Sequence, residues 1–464
     1  MPSSPPAEVL RLSPLVDAAG WARLRAIREH RWAPRWTHYL GDRLTAQDLA
    51  EVEGFRRALA ETATAAPRPG PPETLLREVR RWRQNVESVR RRVPVGLNLA
   101  RDWSGIPTTD RSELVADLAG SMPDDVDLTP MIIYTTTGST GHALDVPSHP
   151  RTVASAHVLA ERALEKLGVN SDLSAARLAC VNVCAQEATF TFASSASVWG
   201  GAVFAKVNLH PSQWTSPDHA ARFLEDLDPP LLTSDPVALH ALLGLTDRLR
   251  PRAVLSTATS LHPRLQAELS RRYRCPVLDW YASTETGPIA AGVGGALELL
   301  SPDLYVEVVD ATGQVVEDGQ VGELVVSGGR NPYLPLLRYR TGDRGRLYSR
   351  ADGCRVLEEL EGRPAVPFWT VAGGVVNTLD VARILREHLV FVQQQTVQLP
   401  DRSLQLRLST LEPIGSGPEL ALRAALERLF GPGHPIRLER VPDLGAGMPG
   451  GKVRTFVQLG ESPV

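Results

Sequence analysis

A run of hydroxyl side chains and glycines follows the apolar segment 131–133 and reads Tyr-Thr-Thr-Thr-Gly-Ser-Thr-Gly over residues 134–141. Glycine-containing turns let backbone N–H groups point at a bound anion, and serine and threonine hydroxyls add donors in little space. The run therefore fits a phosphate-binding loop, but a surface turn after a strand has the same composition. It is not the nucleotide-binding loop that ends in Gly-Lys-Ser/Thr, because His142 follows the second glycine.

Three further motifs carry carboxylates and a lysine. Residues 280–287 read Trp-Tyr-Ala-Ser-Thr-Glu-Thr-Gly, residues 338–343 read Arg-Tyr-Arg-Thr-Gly-Asp, and residues 450–454 read Gly-Gly-Lys-Val-Arg. Each motif alone fits an ordinary turn. Only three of the 50 basic residues are lysines, namely Lys166, Lys206 and Lys452. A lysine kept in so arginine-rich a chain suggests a chemical requirement, although three could also remain by chance.

Short apolar strands alternate with helices in the part of the chain that must position these motifs. Strands are predicted at 178–183, 230–234, 252–256 and 276–281, and helices at 157–167 and 261–273. Such alternation predicts an α/β core with largely parallel sheets.

The regions before and after this core show different sequence patterns. Residues 7–66 and the basic stretch from Leu75 to Arg92 predict helices, and 304–327 predicts an antiparallel β unit. From about Glu361 a smaller unit begins, with helices at 379–387 and 419–430 and a strand at 404–408. The expected fold is therefore α/β (α+β), with a large N-terminal domain over residues 1–360 and a small α+β C-terminal domain over residues 361–464.

The overall composition and charge of the chain argue against some classes of function. The 464 residues carry a net charge of −3 and no long apolar run, which argues against partners such as nucleic acid or a membrane. The N-terminus lacks the features of a signal peptide, and the four cysteines are too scattered for a disulfide framework. These observations favour a cytoplasmic protein with free thiols. No partner is evident for His149, His157 or His210, so core or surface roles are expected for them.

Taken together and in this order, the four motifs resemble those of the adenylate-forming superfamily, which includes acyl-CoA synthetases, peptide-synthetase adenylation domains and firefly luciferase. The likeness is greatest to the phenylacetate–CoA ligase branch. It extends from about Ile106 to Arg454 and includes Ile-Pro-Thr-Thr-Asp at 106–110 and Leu-Glu-Gly-Arg at 360–363. The resemblance implies an enzyme in which an acid's oxygen attacks the α-phosphate of ATP, giving an acyl adenylate and pyrophosphate. It also implies that the large domain binds ATP and the acid, while the small mobile domain carries the catalytic lysine.

The resemblance assigns roles to individual residues. The residues that would hold the leaving phosphates are Thr136, Thr137, Gly138, Ser139, Thr140 and Gly141. The remaining nucleotide and catalytic roles fall to Tyr281 (adenine), Asp343 (ribose hydroxyls), Thr284 (α-phosphate), Glu285 (Mg²⁺), Arg363 (ribose or phosphate) and Lys452 (attacking oxygen and α-phosphate). A compact ammonium suits the last task better than arginine's planar fork.

The sequence says less about the identity of the acid substrate. By analogy its pocket lies between residues 183–199, 256–260 and 281–289, with Phe190, Ser256 and Ser283 as candidate contacts. Phe190 and its neighbours would suit a flat aromatic acid, although aromatic residues at such spacing are also common in plain cores.

Some features depart from the family pattern. The segment after Arg363 lacks the usual aspartates, and the glycine turn that shapes the thiol tunnel is only loosely matched at 372–374. Transfer to CoA or a carrier-protein thiol is therefore less well supported than adenylation. One alternative is a diazotase of secondary metabolism, which would activate nitrite and act on an aryl amine. Another is a degenerate, non-catalytic member, but such decay would be expected to remove Glu285, Asp343 or Lys452. The oligomeric state stays open, although relatives of this branch are often homodimers.

Overall fold

The computed structural model describes the chain in segments. These are residues 4–62, 70–135, 144–186, 189–259, 261, 263–300, 303–361, 366–389, 391, 393–410, 413–441, 444 and 455–459. The chain divides into two compact units. The larger comprises Met1–Tyr134, Val146–Cys184 and Thr189–Pro364, and the smaller comprises Thr135–Asp145, Ala185–Ala188 and Ala365–Val464. The predicted boundary at 360/361 and the roles of the two predicted domains stay predictions.

Helices occur throughout the described residues. They are α1 (Ala7–Leu12), α2 (Ala18–Arg28), α3 (Ala46–Thr62), α4 (Glu73–Asn85), α5 (Glu87–Arg92), α6 (Arg111–Ala116), α7 (Pro150–Lys166), α8 (His219–Leu227), α9 (Pro236–Leu245), α10 (Pro263–Tyr273), α11 (Thr378–His388) and α12 (Ser416–Phe430).

The strands up to residue 361 are β1 (Ile132–Thr135), β2 (Asp145–Ser148), β3 (Leu178–Cys184), β4 (Phe192–Ala196), β5 (Ala202–Asn208), β6 (Leu231–Ser234), β7 (Ala253–Ser256), β8 (Val277–Ser283), β9 (Gly287–Val293), β10 (Ala296–Leu299), β11 (Leu304–Val309), β12 (Val321–Gly328), β13 (Leu336–Ser349) and β14 (Arg355–Glu361). Strands β1 and β2 pair with each other. Within the described residues the others form a twelve-stranded sheet in the order β11-β12-β13-β14-β10-β9-β8-β7-β6-β3-β5-β4.

The centre of this sheet is parallel. Strand β3 pairs in parallel with β5 and β6, and the parallel run continues through β7 to β8. Helices cover both faces, so alternate side chains of one strand enter two different cores. Val181 packs in the core with α2, α8, α9 and α10, whereas Cys180 packs in the core with α3 and α7. Strands covered on both faces are largely apolar, and this pattern predicted β3, β6, β7 and β8 but not β5. The prediction of an α/β fold is confirmed.

The other half of the sheet is antiparallel. It begins where β8 pairs with β9 and continues through β10 and β14 to β13, β12 and β11. The predicted β unit at 304–327 is thus the outer end of the same sheet that carries the parallel strands.

The basic stretch from Leu75 to Arg92 differs from the single helix that its periodicity predicts. It is broken at Val86, which has extended backbone angles and bridges to Pro123. Val86 is buried among the apolar side chains beneath α4 and α5, so tertiary packing outweighs the helical pattern. Several of its arginines pair with surface carboxylates, as Arg80 does with Glu73, whereas Arg83 and Arg92 donate to backbone carbonyls. The side chains of Arg80, Arg90 and Arg91 lie on a solvated face.

Helix α7 begins earlier than predicted, at Pro150. His149 precedes it, and its Nδ1 accepts a hydrogen bond from Arg151 N at 3.2 Å. His149 therefore acts as a helix cap, a role that its sequence position alone did not indicate.

The smaller unit is a compact α+β structure. Its strands are β15 (Phe368–Trp369), β16 (Val375–Val376), β17 (Gln393–Gln398), β18 (Leu404–Ser409), β19 (Ile436–Arg440) and β20 (Phe456–Gln458). The last four form a sheet in the order β19-β18-β17-β20, and α11 and α12 contribute to its core. The predicted thiol-tunnel turn at 372–374 joins β15 to β16. There Gly373 has a φ of +92°, which favours glycine, and Thr370 N donates to Gly374 O at 2.8 Å.

Two further expectations concern the whole chain. In the described part of the chain, no helix has both the length and the apolar character needed to cross a membrane. All four cysteines are free, with Cys180, Cys184 and Cys275 buried and Cys354 partly exposed.

Acidic pH is expected to destabilise the protein through His157. This ring packs against Trp199, with centroids 4.4 Å apart, and burial lowers its pKa to about 4. An unfolded histidine, with a pKa near 6.5, binds a proton between pH 6.5 and 4 where the folded protein does not. The contribution of His157 to stability is therefore complete above pH 6.5 and is lost as the pH falls, by about 2 kcal/mol at pH 4.5.

Urea unfolding of the wild type and of His157→Phe at pH 7 and pH 4.5 checks this expectation. The phenylalanine keeps an aromatic ring against Trp199 but cannot titrate, so the variant should lose about 2 kcal/mol less than the wild type on acidification. Equal losses in the two proteins would contradict the assignment.

Candidate functional site

The second motif forms the tip of a hairpin between β8 and β9. Thr284, Glu285 and Thr286 make a three-residue loop, and Gly287 follows with a φ of +67°, the left-handed conformation that such hairpins require. Ser283 Oγ accepts from Thr286 N at 3.1 Å and lies 3.0 Å from Thr286 Oγ1. Ser283 thus stabilises the turn, while Thr284 is exposed at its tip. The substrate role of Ser283 and the phosphate role of Thr284 stay predictions.

Glu285 is buried, with only 6% of its surface exposed. Its Oε1 accepts hydrogen bonds from Arg111 Nη1 and from Tyr339 Oη, the latter at 3.2 Å. Burial, with the neighbouring Glu285 charge, raises the pKa of Tyr339, so the phenol stays protonated and donates. Arg111 supplies the opposite charge that a buried carboxylate needs. These contacts fix the orientation of Glu285.

Arg111 reaches Glu285 because the segment before α6 is tied to β13. Thr109 N donates to Arg338 O at 2.9 Å, and Arg340 N donates to Thr109 O at 2.7 Å. Asp110 then caps α6 by accepting from Glu113 N at 3.1 Å. Arg111 is the first residue of the helix. Three of the predicted motif segments (106–110, 280–287 and 338–343) therefore meet around one carboxylate.

Tyr281 and Asp343 are also brought together. Tyr281 Oη donates to Asp343 Oδ2 at 3.1 Å. Asp343 lies within β13, where Gly342 has a φ of +75° and Asp343 N donates to Thr341 Oγ1 at 3.1 Å. The third motif is thus an irregular part of a long strand that pairs on both sides, rather than a hairpin turn. The two side chains assigned to the nucleoside lie within hydrogen-bond distance of each other.

Arg338 belongs to the support of the site. Its guanidinium is fully buried and donates to Ser104 O at 2.8 Å, Ile106 O at 2.7 Å and Gly313 O at 2.9 Å. It also pairs with Glu307 at 3.3 Å. Burial raises the pKa of Glu307, while the Arg338 charge opposes that rise. Arg338 therefore joins the residues before Thr109 to the sheet.

The remaining predicted site residues fall into two groups. Some lie outside the described residues, and the others have contacts that do not test the predicted role. Thr136, Thr137, Gly138, Ser139, Thr140, Gly141, Arg363 and Lys452 lie outside the described residues. Ser256 is fully buried at the end of β7, and in the described part of the chain its Oγ has no hydrogen-bond partner. Phe190 is 44% exposed and stacks on Phe192 at a centroid distance of 5.9 Å. The substrate roles of Ser256 and Phe190 stay predictions.

Sequence reasoning did not single out Arg111 and Tyr339 as partners of Glu285. Tyr339 lies inside a recognised motif, but its link to Glu285 depends on a contact across 54 residues of chain. Arg111 is 174 residues from Glu285, and the only local signal for it is its place directly after the cap Asp110.

Comparison with known proteins identifies the class of protein. Residues 72–331 match the family model described as AMP-binding enzyme, which is more than half of the chain. The protein therefore belongs to the AMP-binding enzyme family, and the prediction of that superfamily is confirmed. The match includes Arg111, Tyr281 and Glu285. The phenylacetate–CoA ligase-like branch stays a prediction.

Individual relatives are distant. Acetyl-coenzyme A synthetase of Burkholderia lata is 30% identical over 154 residues, which cover 28% of this chain and 23% of that protein. The chain thus spans about a quarter of the length of the curated relatives it matches. A solved structure of 2-hydroxyisobutyryl-CoA ligase with 2-HIB-AMP and CoA is 17% identical, with a TM-score of 0.49 over 90% of this chain and 91% of that one. The amide bond synthetase McbA from Marinactinospora thermotolerans is 20% identical, with a TM-score of 0.39 over 71% and 70%.

Proposed function

We propose that the protein is an ATP-dependent, AMP-forming ligase that activates a carboxylic acid as an acyl adenylate and releases pyrophosphate. The observation that carries this proposal is the arrangement around β8 and β13 in a member of the AMP-binding enzyme family. There the buried Glu285 is held by Arg111 and Tyr339, and Tyr281 contacts Asp343. ATP in the cytoplasm would be the nucleotide substrate.

Tyr281 and Asp343 would bind the nucleoside. The Tyr281 ring would stack on adenine, and the Asp343 carboxylate would accept from the ribose hydroxyls. The hydrogen bond between them orients both side chains before the nucleotide arrives. Preorganisation of this kind reduces the entropy lost on binding.

Glu285 would hold Mg²⁺ together with the substrate phosphates. Within the described residues no group of three or more His, Cys, Asp or Glu side chains could hold a metal ion. Magnesium at phosphate sites commonly takes one or two carboxylates and completes its shell with phosphate oxygens and water, so such a group is not required. Arg111 and Tyr339 occupy Oε1, which leaves Oε2 for a metal. When bound, the ion would neutralise charge on the phosphates.

Thr284 and the residues outside the described segments complete the proposal by resemblance. Residues 136–141 would cradle the leaving phosphates, and Thr284 and Lys452 would contact the α-phosphate, with Lys452 also contacting the attacking oxygen. Arg363 would contact ribose or phosphate. These groups would act by stabilising negative charge in the transition state. Transfer of the acyl group to CoA or a carrier-protein thiol would follow.

The acid is proposed to be aromatic. The rings of Phe190 and Phe192 are nearly parallel, with an interplanar angle of 12°. Phe190 presents an exposed surface on which a flat ring could stack, and such contacts between rings are favourable.

A second candidate is activation of nitrite followed by diazotisation of an aryl amine. It is favoured by the departures from the thiol-transfer pattern at 364–367 and 372–374. ATP–pyrophosphate exchange separates the two candidates. The principal proposal expects exchange with one or more aromatic acids in a panel and no stimulation by nitrite with aminobenzoic acids. Exchange that no carboxylate stimulates would contradict it.

A further inference from the structure

Lys206 interrupts the apolar interior of the parallel sheet. It lies on β5, in register with Asn182 on β3, and Asn182 is in register with Thr233 on β6. All three side chains are half-buried. Parallel strands covered on both faces are ordinarily apolar, so a polar set across three neighbouring strands requires a reason. We call Lys206, Asn182 and Thr233 the polar row.

The polar row faces the side of the sheet that α7 covers. Residues adjacent to the row, such as Ala205 and Val183, pack in the opposite core. Phe204, two residues before Lys206, packs in the core with α7. The row also lies toward the carboxyl ends of its strands, and open α/β sheets bind ligands beyond those ends.

Lys206 is held by weak partners. Its Nζ donates to Thr189 Oγ1 at 3.1 Å and lies 3.7 Å from the centroid of the Phe190 ring. In the described part of the chain, Lys206 forms no ion pair with a carboxylate. Burial lowers the pKa of Lys206, which is the expected cost of removing an ammonium from water without a counter-ion. A bound anion would remove that cost.

The residues around Lys206 indicate which chemical group would lie next to the bound anion. Phe192 is in register with Lys206 and stacks on Phe190. The edge of His38 contacts the Phe190 ring, with centroids 5.5 Å apart. The cation is therefore next to a stack of two aromatic rings, one of which is exposed.

We propose that Lys206 binds a second anionic group on the acid substrate, so that the preferred substrates are aromatic acids with two negative charges. This inference rests on the proposed function, because it specifies the acid that is activated. One carboxyl group would react, and the other acidic group, a carboxylate or a sulfonate, would accept from Nζ. Asn182 would add a polar contact beside it.

The test compares acids that carry either a second anionic group or an uncharged methyl group at the same ring position. Benzene-1,3- and 1,4-dicarboxylate are paired with 3- and 4-methylbenzoate, and 3- and 4-sulfobenzoate distinguish a sulfonate from a carboxylate. The measured quantity is kcat/KM for ATP–pyrophosphate exchange by the wild type and by Lys206→Met, which keeps an unbranched side chain without the charge. Loss of a hydrogen bond to a charged group should lower kcat/KM for the dianions by about 10- to 100-fold and leave the methyl compounds within about threefold.

Two control variants accompany the measurement. Lys166→Met makes the same substitution at a lysine that pairs with Glu298 on the surface, and it should behave as the wild type with every acid. Lys206→Arg restores the positive charge and should recover part of the loss. An equal fall of kcat/KM for both kinds of acid in Lys206→Met would overturn the proposal, because Lys206 would then only support the Phe190 ring.

Binding without ATP separates this inference from the proposed function. Titration of the dianionic acids should quench tryptophan fluorescence of the wild type at lower concentration than their methyl analogues, and Lys206→Met should abolish that difference. A protein that binds the dianions in this way but catalyses no exchange would disprove the proposed function and keep only the role of Lys206 in binding an anionic group. A wild type that neither binds nor activates the dianions better than the methyl compounds would overturn the inference.

Discussion

Replacing Lys452 by alanine is expected to lower the rate of acyl adenylate formation by about a thousandfold or more while leaving ATP binding near normal. The proposed role of Lys452 is to neutralise charge that develops between the attacking oxygen and the α-phosphate. A group that acts mainly in the transition state affects the rate more than ground-state binding. ATP–pyrophosphate exchange measures the rate, and calorimetric titration measures the affinity for ATP.

The chain offers a matched control for this change. Lys166, on α7, pairs with Glu298 at 2.9 Å and has no proposed role in the reaction, so Lys166→Ala should exchange at the wild-type rate. Lys452→Arg should recover little activity, because a planar guanidinium does not reproduce a point charge. Adenylation that survives in Lys452→Ala would show that the role assigned to Lys452 is wrong.

Replacing Arg338 by methionine is expected to destabilise the larger unit by about 3–5 kcal/mol. The change leaves Glu307 buried without its opposite charge and removes the donor that three backbone carbonyls share. Trp103 Nε1, which donates to Glu307 Oε2 at 3.0 Å, is the only other partner recorded for that carboxylate within the described residues. Urea denaturation at neutral pH, followed by circular dichroism, measures the change.

A double variant identifies the cause of the loss. Glu307→Gln keeps an acceptor for Trp103 but removes the negative charge, so Arg338→Met combined with Glu307→Gln should be more stable than Arg338→Met alone. Recovery of about 1–2 kcal/mol would show that the uncompensated carboxylate dominates. A double variant no more stable than Arg338→Met would assign the loss to the backbone carbonyls instead.

Four of the five parallel strands could be predicted from sequence because burial on both faces leaves a mostly apolar run, whereas β5 was not predicted. The run at 178–183, for example, corresponds to the observed strand Leu178–Cys184. A helix cap such as Asp110 is also a local feature, since it depends on contacts within one turn. Features that depend only on neighbouring residues can therefore be predicted from the sequence.

Features that depend on distant contacts were not predictable in the same way. The break at Val86 follows from burial and from a bridge to Pro123, which outweigh the helical periodicity around it. The motif at 338–343 fits a turn, yet pairing with β12 and a bridge between Thr109 and Tyr339 hold it within β13. The capping role of His149 likewise required the true start of α7.

The same distinction between local features and distant contacts applies to the functional site. Glu285, Tyr281 and Asp343 could be singled out because their motifs resemble those of a known superfamily. The Arg111–Glu285 pair could not be predicted. The sequence gives no information on the distance between the start of α6 and the tip of the β8–β9 hairpin. Arg111 also implies that Glu285 is already neutralised before any metal binds, which the motif alone did not suggest.

Product analysis tests the central claim most directly. The wild type is incubated with ATP, magnesium and an acid that stimulates exchange, and the nucleotides and phosphates are separated by anion-exchange chromatography. Attack at the α-phosphate predicts pyrophosphate in an amount equal to acyl adenylate plus the AMP released by its hydrolysis, with formation of all three dependent on the acid. Formation of ADP and inorganic phosphate instead would show attack at the γ-phosphate and would contradict the account.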